Sequence, residues 1–427
     1  MSTSAARESL LGDLLAASHL ITLEQLPGLV TRYAARAGWP DVLIYLADLQ
    51  QQMLHLLTER GPRAMYGPAR QVRADRPAEL RVEGTVAGRA FQLGAIVPAN
   101  AAGGGQWWVP LVNGTERMGV LRVEAPTDPA LPHDLRNLAS LIALMLVSKR
   151  GTSDTYSRLV RRRDMNVAAE MEWRLMPPRT FATDRVLISA VMEPAYEVSG
   201  DVFDYGIAGD TVHLAIFDAM GHDTAAGLTA NLALAACRNH RRQRSGMLRT
   251  AAAVEHALAT QFDSSRYATG ILADLNLTSG ALRWTSCGHP APVIIRGGRT
   301  ALSLYCPPST PLGTDLEPSP SLCHDQLEPG DRLLLYTDGI TEARNPEGQE
   351  FGLDRFTDFL IRRHADGLPL PETLRRLIRH HLDYHHGRLD DDATVLLVEW
   401  HGPTPYHRDH VEALAGLPSP SHHPVDR

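Results

Sequence analysis

Three acidic sites that lie far apart in the sequence each stand beside a short apolar run. Asp218 follows such a run in LAIFDAMGHD, and Asp338 follows one in LLLYTDGITEA. The acidic triplet Asp390-Asp391-Asp392 precedes the run of ATVLLVEW. Short bounded apolar runs predict buried strands, so we expect the carboxylates at strand ends. Hard cations such as Mg²⁺ and Mn²⁺ prefer oxygen ligands, and carboxylates packed together without a cation repel one another. The pattern therefore indicates a site for two divalent cations.

Such a site could hydrolyse a phosphate ester without a serine or cysteine nucleophile. Two divalent ions lower the pKa of a water that they share, and they neutralise phosphate oxygens. A lone aspartate at a strand end is more often a turn former or a helix cap. Spacing alone therefore leaves the structural and the metal-binding interpretations open.

Composition narrows the class of protein. The length of 427 residues predicts two domains, and a 44% apolar fraction can build their cores. A net charge of −7 argues against nucleic acid or an anionic membrane as the main partner. The apolar stretch 138–147 is too short to span a bilayer, and the N-terminus has no signal-peptide pattern. We therefore expect a soluble, cytoplasmic protein. The four cysteines have no CxxC spacing, which argues against a disulfide framework or a zinc knuckle.

Hydrophobic patterning divides the chain into four segments. Helices, strands and a further helix over 1–150 predict a complete α+β domain. A charged helix is predicted over 155–176, in a connector of residues 151–182, and Pro177-Pro178 ends it. Residues 183–401 carry many strands interrupted by a helix pair, which predicts an α+β sandwich of antiparallel sheets. Residues 402–427 are rich in proline and histidine and are predicted to be disordered.

The connector helix has two interpretations. Val160, Val167 and Met171 have a heptad-like spacing, which is typical of a dimerising or signal-transmitting coiled coil. An exposed connector without a partner is the simpler alternative.

The motifs of the second half resemble a known family. In order they read MEPAYEVSGDVFDY from Met192, FDAMGH, SCGHPAPVI from Ser286, DRLLLYTDGITEA from Asp331 and DDATVLLV from Asp391. Their content and order resemble the SpoIIE/RsbU-like branch of the metal-dependent PPM-type serine/threonine phosphatases, over about residues 165–400. The resemblance implies an α-β-β-α sandwich around a binuclear Mn²⁺ or Mg²⁺ site.

The resemblance also implies roles for individual residues. Asp218 matches the aspartate that bridges the two ions, and the backbone carbonyl of Ala219 matches its companion ligand. Asp338 and Asp391 match ligands that complete one of the metal sites. Asp201 matches an acidic position near the ions, which it would bind directly or through a water.

Some positions depart from the family pattern or stay open. Better-known eukaryotic relatives have a histidine where this chain has Met220, so the general acid is missing, and His222 is only a weak substitute. Asp223 either adds a carboxylate near the ions or caps the next helix. Asp204 and Asp392 are expected to support the site rather than bind metal.

Three further features invite both a structural and a functional interpretation. His289 is expected to order a turn at a strand end. The remaining two are clusters near predicted helix ends. The basic cluster either interacts favourably with the dipole at a helix C-terminus or docks a substrate. Its members are Arg238, Arg241, Arg242 and Arg244. The histidine cluster is a solvated helix end or an adventitious metal site; its members are His380, His381, His385 and His386.

The first 150 residues resemble GAF-like sensory domains. The matching pieces are DVLIYLADLQQQ from Asp41, VEGTVAGRAFQ from Val82 and WWVPLVNGTERMGVLRV from Trp107. The resemblance implies a pocket for a small molecule, lined by Trp107, Trp108 or Phe91, although ordinary core packing also explains these side chains. No cysteine or histidine marks a haem or chromophore site.

These observations predict a cytoplasmic signalling phosphatase that acts on phosphoserine or phosphothreonine. The resemblance implies an anti-anti-sigma (STAS-domain) protein as substrate, and therefore control of a sigma factor. The N-terminal domain and the connector would set the activity through the geometry of a homodimer. A non-catalytic docking regulator of the same pathway and a metal hydrolase of small phosphate compounds remain alternatives.

Overall fold

The computed structural model describes residues 3–58, 76–99, 105–126, 131–196, 200–307, 309–316, 320–365, 367–386, 389 and 391–417. The chain divides into two compact units. The first comprises residues 1–164 with 412–427, and the second comprises residues 165–411. Each unit has a hydrophobic core of its own.

The first unit contains a six-stranded antiparallel sheet in the order β3-β2-β1-β6-β5-β4. The hairpin predicted at Asn113-Gly114 joins β5 to β6, and Gly114 adopts the positive φ of 57° that its turn requires. The strands are β1 (Asp41–Ala47), β2 (Met53–Leu56), β3 (Glu79–Arg81), β4 (Val97–Pro98), β5 (Gln106–Asn113) and β6 (Glu116–Glu124).

The helices of the first unit agree with the predicted helix–sheet–helix order. In the longest of them, Leu135, Leu138, Ile142 and Leu146 recur at helical spacing and are fully buried in the core. Within the described ranges, no helix combines the length and apolar character that crossing a bilayer requires. The helices are α1 (Thr3–Ala17), α2 (Leu26–Arg36), α3 (Val86–Leu93), α4 (Leu131–Arg150) and α5 (Asp154–Val160).

The prediction of one helix over 155–176 is wrong. Helix α5 ends at Val160, Arg161 is extended, and six residues separate α5 from α6 (Val167–Leu175). The Asn166 side chain accepts a hydrogen bond from the Ala169 amide at 2.9 Å, so it starts a new helix rather than continuing the old one. Val160 is buried, whereas Val167 is 70% exposed. The heptad-like spacing therefore does not form one helical face.

The second unit is a sandwich of two antiparallel sheets. One has five strands in the order β15-β12-β11-β10-β9, and the other has six in the order β14-β13-β16-β17-β8-β7. Side chains from both sheets form a single core between them. The strands are β7 (Thr180–Ala182), β8 (Val186–Glu193), β9 (Asp201–Ala208), β10 (Thr211–Ala219), β11 (Ala268–Asn276), β12 (Ala281–Cys287), β13 (Val293–Arg296), β14 (Thr300–Ser303), β15 (Cys323–Gln326), β16 (Arg332–Tyr336) and β17 (Ala393–Trp400).

Helices cover the two sheets and complete the predicted α-β-β-α arrangement. Helices α7 (Thr224–Arg242) and α8 (Met247–Phe262) pack against the five-stranded sheet. Helix α10 (Leu370–Tyr384) packs against β8 of the other sheet and against α9 (Leu353–Ala365). The fold class predicted for this half of the chain is therefore confirmed.

Two further expectations are wrong. The segment predicted to be a disordered tail contains helix α11 (Arg408–Ala415), although residues 418–427 lie outside the described ranges. Cys306 and Cys323 form a disulfide, with their Cα atoms 5.8 Å apart. Their spacing gave no sign of this, because the pairing depends on where the chain leaves β14 in the six-stranded sheet and enters β15 in the five-stranded sheet. Cys237 and Cys287 are buried free thiols.

Candidate metal centre

The first two predicted ligands lie on neighbouring strands. Asp218 and Ala219 end β10, and Asp201 begins β9. The antiparallel register places Asp201 directly opposite Asp218. Residues directly opposite each other on paired strands project their side chains to the same face of a sheet. The pairing therefore brings two carboxylates to one end of the five-stranded sheet.

The remaining predicted ligands come from the six-stranded sheet. Asp338 opens a one-turn 3₁₀ helix (Asp338–Ile340) just after β16. Asp391 precedes β17, which pairs antiparallel with β16. Because the end of β16 lies beside the start of β17, Asp338 and Asp391 lie at the same end of this sheet.

Two hydrogen bonds join the carboxylate-bearing ends of the two sheets. The buried Thr337 hydroxyl donates to Asp201 Oδ2 at 2.7 Å and accepts from the Thr394 amide at 2.9 Å. The Gly200 amide donates to Asp392 Oδ2 at 2.5 Å. Asp392 therefore supports the site by holding the β9 loop, as the sequence suggested.

Two glycines allow the backbones of this region to approach closely. A Cβ atom on Gly200 would lie 2.5 Å from the carbonyl oxygen of Ala219, the predicted backbone ligand. A Cβ atom on Gly339 would lie 1.8 Å from the carbonyl oxygen of Asp392. Neither position can accept a larger side chain without movement of the main chain that carries the predicted ligands.

Burial and repulsion between neighbouring carboxylates disfavour the ionised forms of these aspartates. Burial raises the pKa of Asp218 to about 8, with further contributions from the charges of Asp338, Asp391 and Asp392. Burial, followed by the charges of Asp218 and Asp392, holds the pKa of Asp201 well above its usual range. The pKa of Asp338 is also raised, by burial and then by Asp391. Charges at the ends of both sheets therefore act on one small region. A cation bound there would lower the carboxylate pKa values instead of raising them.

The donor set fits hydrated divalent ions rather than a closed protein cage. Among the described residues, no three acidic, histidine or cysteine side chains are arranged to hold an ion by themselves. Mg²⁺ retains several waters and commonly uses only one or two carboxylates, with substrate phosphate oxygens completing its coordination. The scattered aspartates and the Ala219 carbonyl suit such a partly hydrated pair.

Two buried histidines hold the strands and loops of the site in place. His289 contacts the Thr269 hydroxyl at 2.7 Å and donates from Nε2 to the Tyr336 carbonyl at 3.0 Å. It therefore orders a strand end, as predicted. His381 donates from Nε2 to the Gly339 carbonyl at 3.1 Å. Burial is the main reason that the pKa of each imidazole falls to about 4.

The histidine cluster was not recognised as part of this framework. The expected solvated helix end is wrong for His381 and His385, which are 0% and 3% exposed. The strong amphipathic pattern of α10 is the sequence signal that would have indicated a buried His381, because it lies four and seven residues after the buried Leu377 and Leu374.

Glu172 is a second residue that the sequence did not single out. It lies on α6, is 0% exposed, and faces α7 where Gly227 lacks a side chain. Burial, with a smaller contribution from the charge of Asp392, raises the pKa of Glu172 to about 9. The surrounding charge-rich sequence suggested an exposed helix, so it gave no indication that Glu172 is buried.

The remaining candidates have structural contacts. Asp223 accepts a hydrogen bond from the Ala226 amide at 2.8 Å and pairs with Arg266 at 3.0 Å, so it caps α7. Asp204 is buried against Arg238 and Arg241, with nearest contacts of 2.6 and 2.8 Å. These contacts explain both carboxylates without a metal.

Comparisons with known proteins agree with this architecture. Residues 208–401 match the family model of stage II sporulation protein E (SpoIIE). Protein IcfG of Synechocystis sp. is 24% identical over 273 residues, which cover 56% of this chain and 42% of IcfG. Phosphoserine phosphatase RsbU of Bacillus subtilis is 22% identical over 186 residues, which cover 43% of this chain and 55% of RsbU. The chain thus spans about half the length of these curated relatives.

A solved structure is similar as well. The RsbU and RsbW domains of Rv1364c from Mycobacterium tuberculosis align with a TM-score of 0.46 and 23% identity. The alignment covers 52% of this chain and 63% of that one.

Asp218, Asp338 and Asp391 all lie inside the segment matched by the family model, whereas Asp201 lies just before it. Residues 208–401 are therefore similar in sequence to the SpoIIE family.

Proposed function

We propose that residues 165–411 form a metal-dependent phosphatase that hydrolyses phosphoserine or phosphothreonine in a protein. The observation that carries this proposal is the convergence of charge on Asp218. Burial is the largest cause of its raised pKa, and the charges of Asp338, Asp391 and Asp392 at the opposite sheet raise it as well. A fold that gathers carboxylates in this way gains stability when cations bind them.

The proposed ligands are those that the family resemblance implies. Asp218 would bridge two Mn²⁺ or Mg²⁺ ions, with the Ala219 carbonyl, Asp338 and Asp391 as further ligands. Asp201 would bind directly or through a water. When bound, the ions would supply an activated water and neutralise the oxygens of the substrate phosphate.

The chain's own thiols argue against a cysteine nucleophile. Burial raises the pKa of both Cys237 and Cys287 to about 12, so each is a neutral thiol at physiological pH. Cys306 and Cys323 are joined in the disulfide. Hydrolysis by direct attack of water is therefore the better proposal.

Protonation of the leaving oxygen has no obvious side-chain donor near Asp218. Met220 stands where related enzymes have a histidine, and its amide is held by the Tyr267 carbonyl at 3.0 Å. His222 is exposed. We propose that the serine or threonine oxygen takes its proton from solvent.

The biological setting is a further part of the proposal. The similarity to RsbU, which is named a phosphoserine phosphatase, supports a phosphorylated anti-anti-sigma (STAS) protein as substrate in the cytoplasm. The first unit would act as a GAF-like sensor of a small molecule. A homodimer would transmit the signal, although the break between α5 and α6 removes the continuous helix on which a coiled coil would depend.

The test is phosphate release by the full-length chain from a phosphorylated STAS protein, measured with Mn²⁺ and with EDTA. We expect Mn²⁺-dependent turnover that Asp218→Asn abolishes. Asp210→Asn is the matched control, because Asp210 is an exposed acid in the turn that leads into the same strand. Equal activity of wild type and Asp218→Asn would overturn the proposal.

The alternatives give different results in the same assay. Turnover of ATP without turnover of the phosphoprotein would favour hydrolysis of small phosphate compounds. Saturable binding of the phosphoprotein with no release of phosphate would favour a docking regulator.

A further inference from the structure

The second unit contains a cavity of about 770 Å³ far from the aspartates. It lies beside His213 and Leu214, near the start of β10, and beside the connection between α7 and α8. Asp218 lies at the other end of β10. Helix α7 begins beside the metal loop and ends at the cavity, and its 19 residues span about 28 Å. The cavity is therefore separate from the candidate metal centre.

The cavity carries an excess of positive charge. Four arginines line it, while Asp274 is its only acidic lining residue in the described part of the chain. Arg241 already pairs with Asp204, and Arg283 pairs with Asp274 at 3.3 Å. The other two lining arginines, Arg244 and Arg249, are exposed. Neither forms an ion pair with any described residue. These two guanidinium groups are available to a ligand.

Apolar groups line the rest of the cavity. Leu214, Cys237 and Leu272 belong to the buried core and form its floor. Leu248 and Leu322 line the cavity as well and are 40% and 38% exposed. The lining thus combines an apolar surface with a cationic one.

The start of α8 adds to the positive potential. Gly246 is the N-cap of this 16-residue helix and provides no side-chain acceptor for its first amide groups. Gly246 and Met247 both line the cavity. Free amides at a helix N-terminus favour a negative charge, in the same direction as the arginines.

We propose that this cavity binds a phosphate-bearing organic anion of about nucleotide size. Arg244 and Arg249 would pair with the phosphate groups, because guanidinium groups match phosphate geometry. The apolar part of the ligand would cover Leu248 and Leu322. The volume lies within the range of about 300–1,000 Å³ that is typical of small-molecule sites. Within the basic cluster, the proposal gives Arg244, just beyond the end of α7, a binding role.

The test uses the full-length chain in EDTA, so that phosphate cannot bind through metal ions at the aspartates. The ligand is trinitrophenyl-ATP, which combines a triphosphate with an apolar chromophore, and its fluorescence enhancement is titrated. We expect saturable binding that pyrophosphate displaces. Arg244→Ala with Arg249→Ala should weaken binding by about tenfold or more, since two charge-assisted contacts are lost.

The matched control is Arg242→Ala with Arg299→Ala. Both residues are exposed arginines of the same unit that do not line the cavity, so the change in net charge is the same. We expect this pair to retain nearly wild-type affinity. Circular dichroism would verify that each variant is folded. If the double variant does not fold, the single variant Arg249→Ala, in the regular helix α8, replaces it in the binding assay.

Three results would overturn the proposal. They are no saturable binding to the wild-type chain, equal binding by the Arg244/Arg249 variant, or an equal loss in the control pair. The last would show that only the overall charge matters. None of these results bears on Mn²⁺-dependent phosphatase activity, so this inference and the proposed function fail independently.

Discussion

The Nε2–H group of His381 donates a hydrogen bond to the Gly339 carbonyl at 3.1 Å, which ties α10 to the loop that carries Asp338. The carbonyl can only accept, so this bond fixes the imidazole tautomer. His381 is fully buried, and burial lowers its pKa to about 4. A neutral His381 therefore holds in place the loop that carries Asp338, a predicted metal ligand.

Replacing His381 with leucine should weaken both metal binding and the fold. The Gly339 carbonyl would lose its buried donor, at a cost of about 1–3 kcal/mol in the free energy of unfolding. Loss of a group that orients a ligand typically lowers metal affinity by about 10–100-fold. The Mn²⁺ concentration that gives half-maximal activity measures this effect. His386→Leu, at an exposed position of the same cluster, is the control. An unchanged Mn²⁺ requirement in His381→Leu would contradict the positioning role.

Gly339→Ala should disrupt the site through the backbone. The new methyl group would lie 1.8 Å from the Asp392 carbonyl oxygen, so the two loops must separate. We expect a loss of about 1–3 kcal/mol of stability without metal, together with a fall in activity of at least about tenfold. Thermal unfolding in EDTA and the phosphatase assay measure the two effects. Gly151→Ala is the control, because nothing lies within 4 Å of its added Cβ. Wild-type behaviour of Gly339→Ala would show that the loops can separate freely.

Asp218→Asn should change stability in opposite directions with and without metal. In EDTA at neutral pH the Asp218 carboxyl must take up a proton on folding, because burial and then the charges of Asp338, Asp391 and Asp392 raise its pKa to about 8. Asparagine avoids this cost, so we expect a gain of about 1 kcal/mol. This gain corresponds to an increase in Tm of about 2–4 °C. At 100 times the dissociation constant, Mn²⁺ should stabilise the wild type by about 2.7 kcal/mol and the variant by much less. Differential scanning calorimetry in EDTA and in Mn²⁺ would measure both. Lower stability of the variant in EDTA would show that carboxylate repulsion is not the dominant interaction.

Glu172 predicts a loss of stability as the pH rises. Its pKa is 4.5 in the unfolded chain and about 9 in the folded protein, mainly because of burial. The unfolded state therefore loses its proton first, and folding stability falls between pH 4.5 and 9. By pH 7 the loss is about 3 kcal/mol. Glu172→Gln should remove this contribution, so that stability falls less steeply with pH than in the wild type and is higher at pH 8, measured by urea unfolding of the metal-free protein.

The control for this prediction lies on the same helix. Glu170→Gln removes an acid whose side chain is 41% exposed, and it should leave the pH profile almost unchanged. If Glu172→Gln has the same profile as the wild type, the carboxyl group is ionised in the folded state and the prediction fails.

Local sequence was sufficient where apolar runs and turn residues act over a few positions. The strands that carry Asp218 and precede Asp338 were predicted in this way, as was the hairpin at Asn113-Gly114. The order of elements predicted an α+β sandwich of antiparallel sheets, and its α-β-β-α layers were implied by the family resemblance. These features depend on periodicity and on turn chemistry, both of which a sequence displays directly.

Several features became visible only in three dimensions. The helix predicted over 155–176 is broken because the Asn166 side chain caps a new helix, a local contact that overrides the apolar spacing. The disulfide joins Cys306, just after β14 of the six-stranded sheet, to Cys323 at the start of β15 of the five-stranded sheet, 17 residues later. A cysteine pairing of this kind has no signature in residue spacing alone.

The sequence by itself determined which carboxylates end which strands, because apolar patterning sets where a strand stops. Only the tertiary structure decided that Asp201 and Asp218 on one sheet lie close enough to Asp392 and Asp338 on the other to alter one another's pKa. It also decided that His381 and Thr337 hold those strand ends together. Burial and charge interactions depend on distances between segments up to 200 residues apart, and local patterning contains no information about those distances.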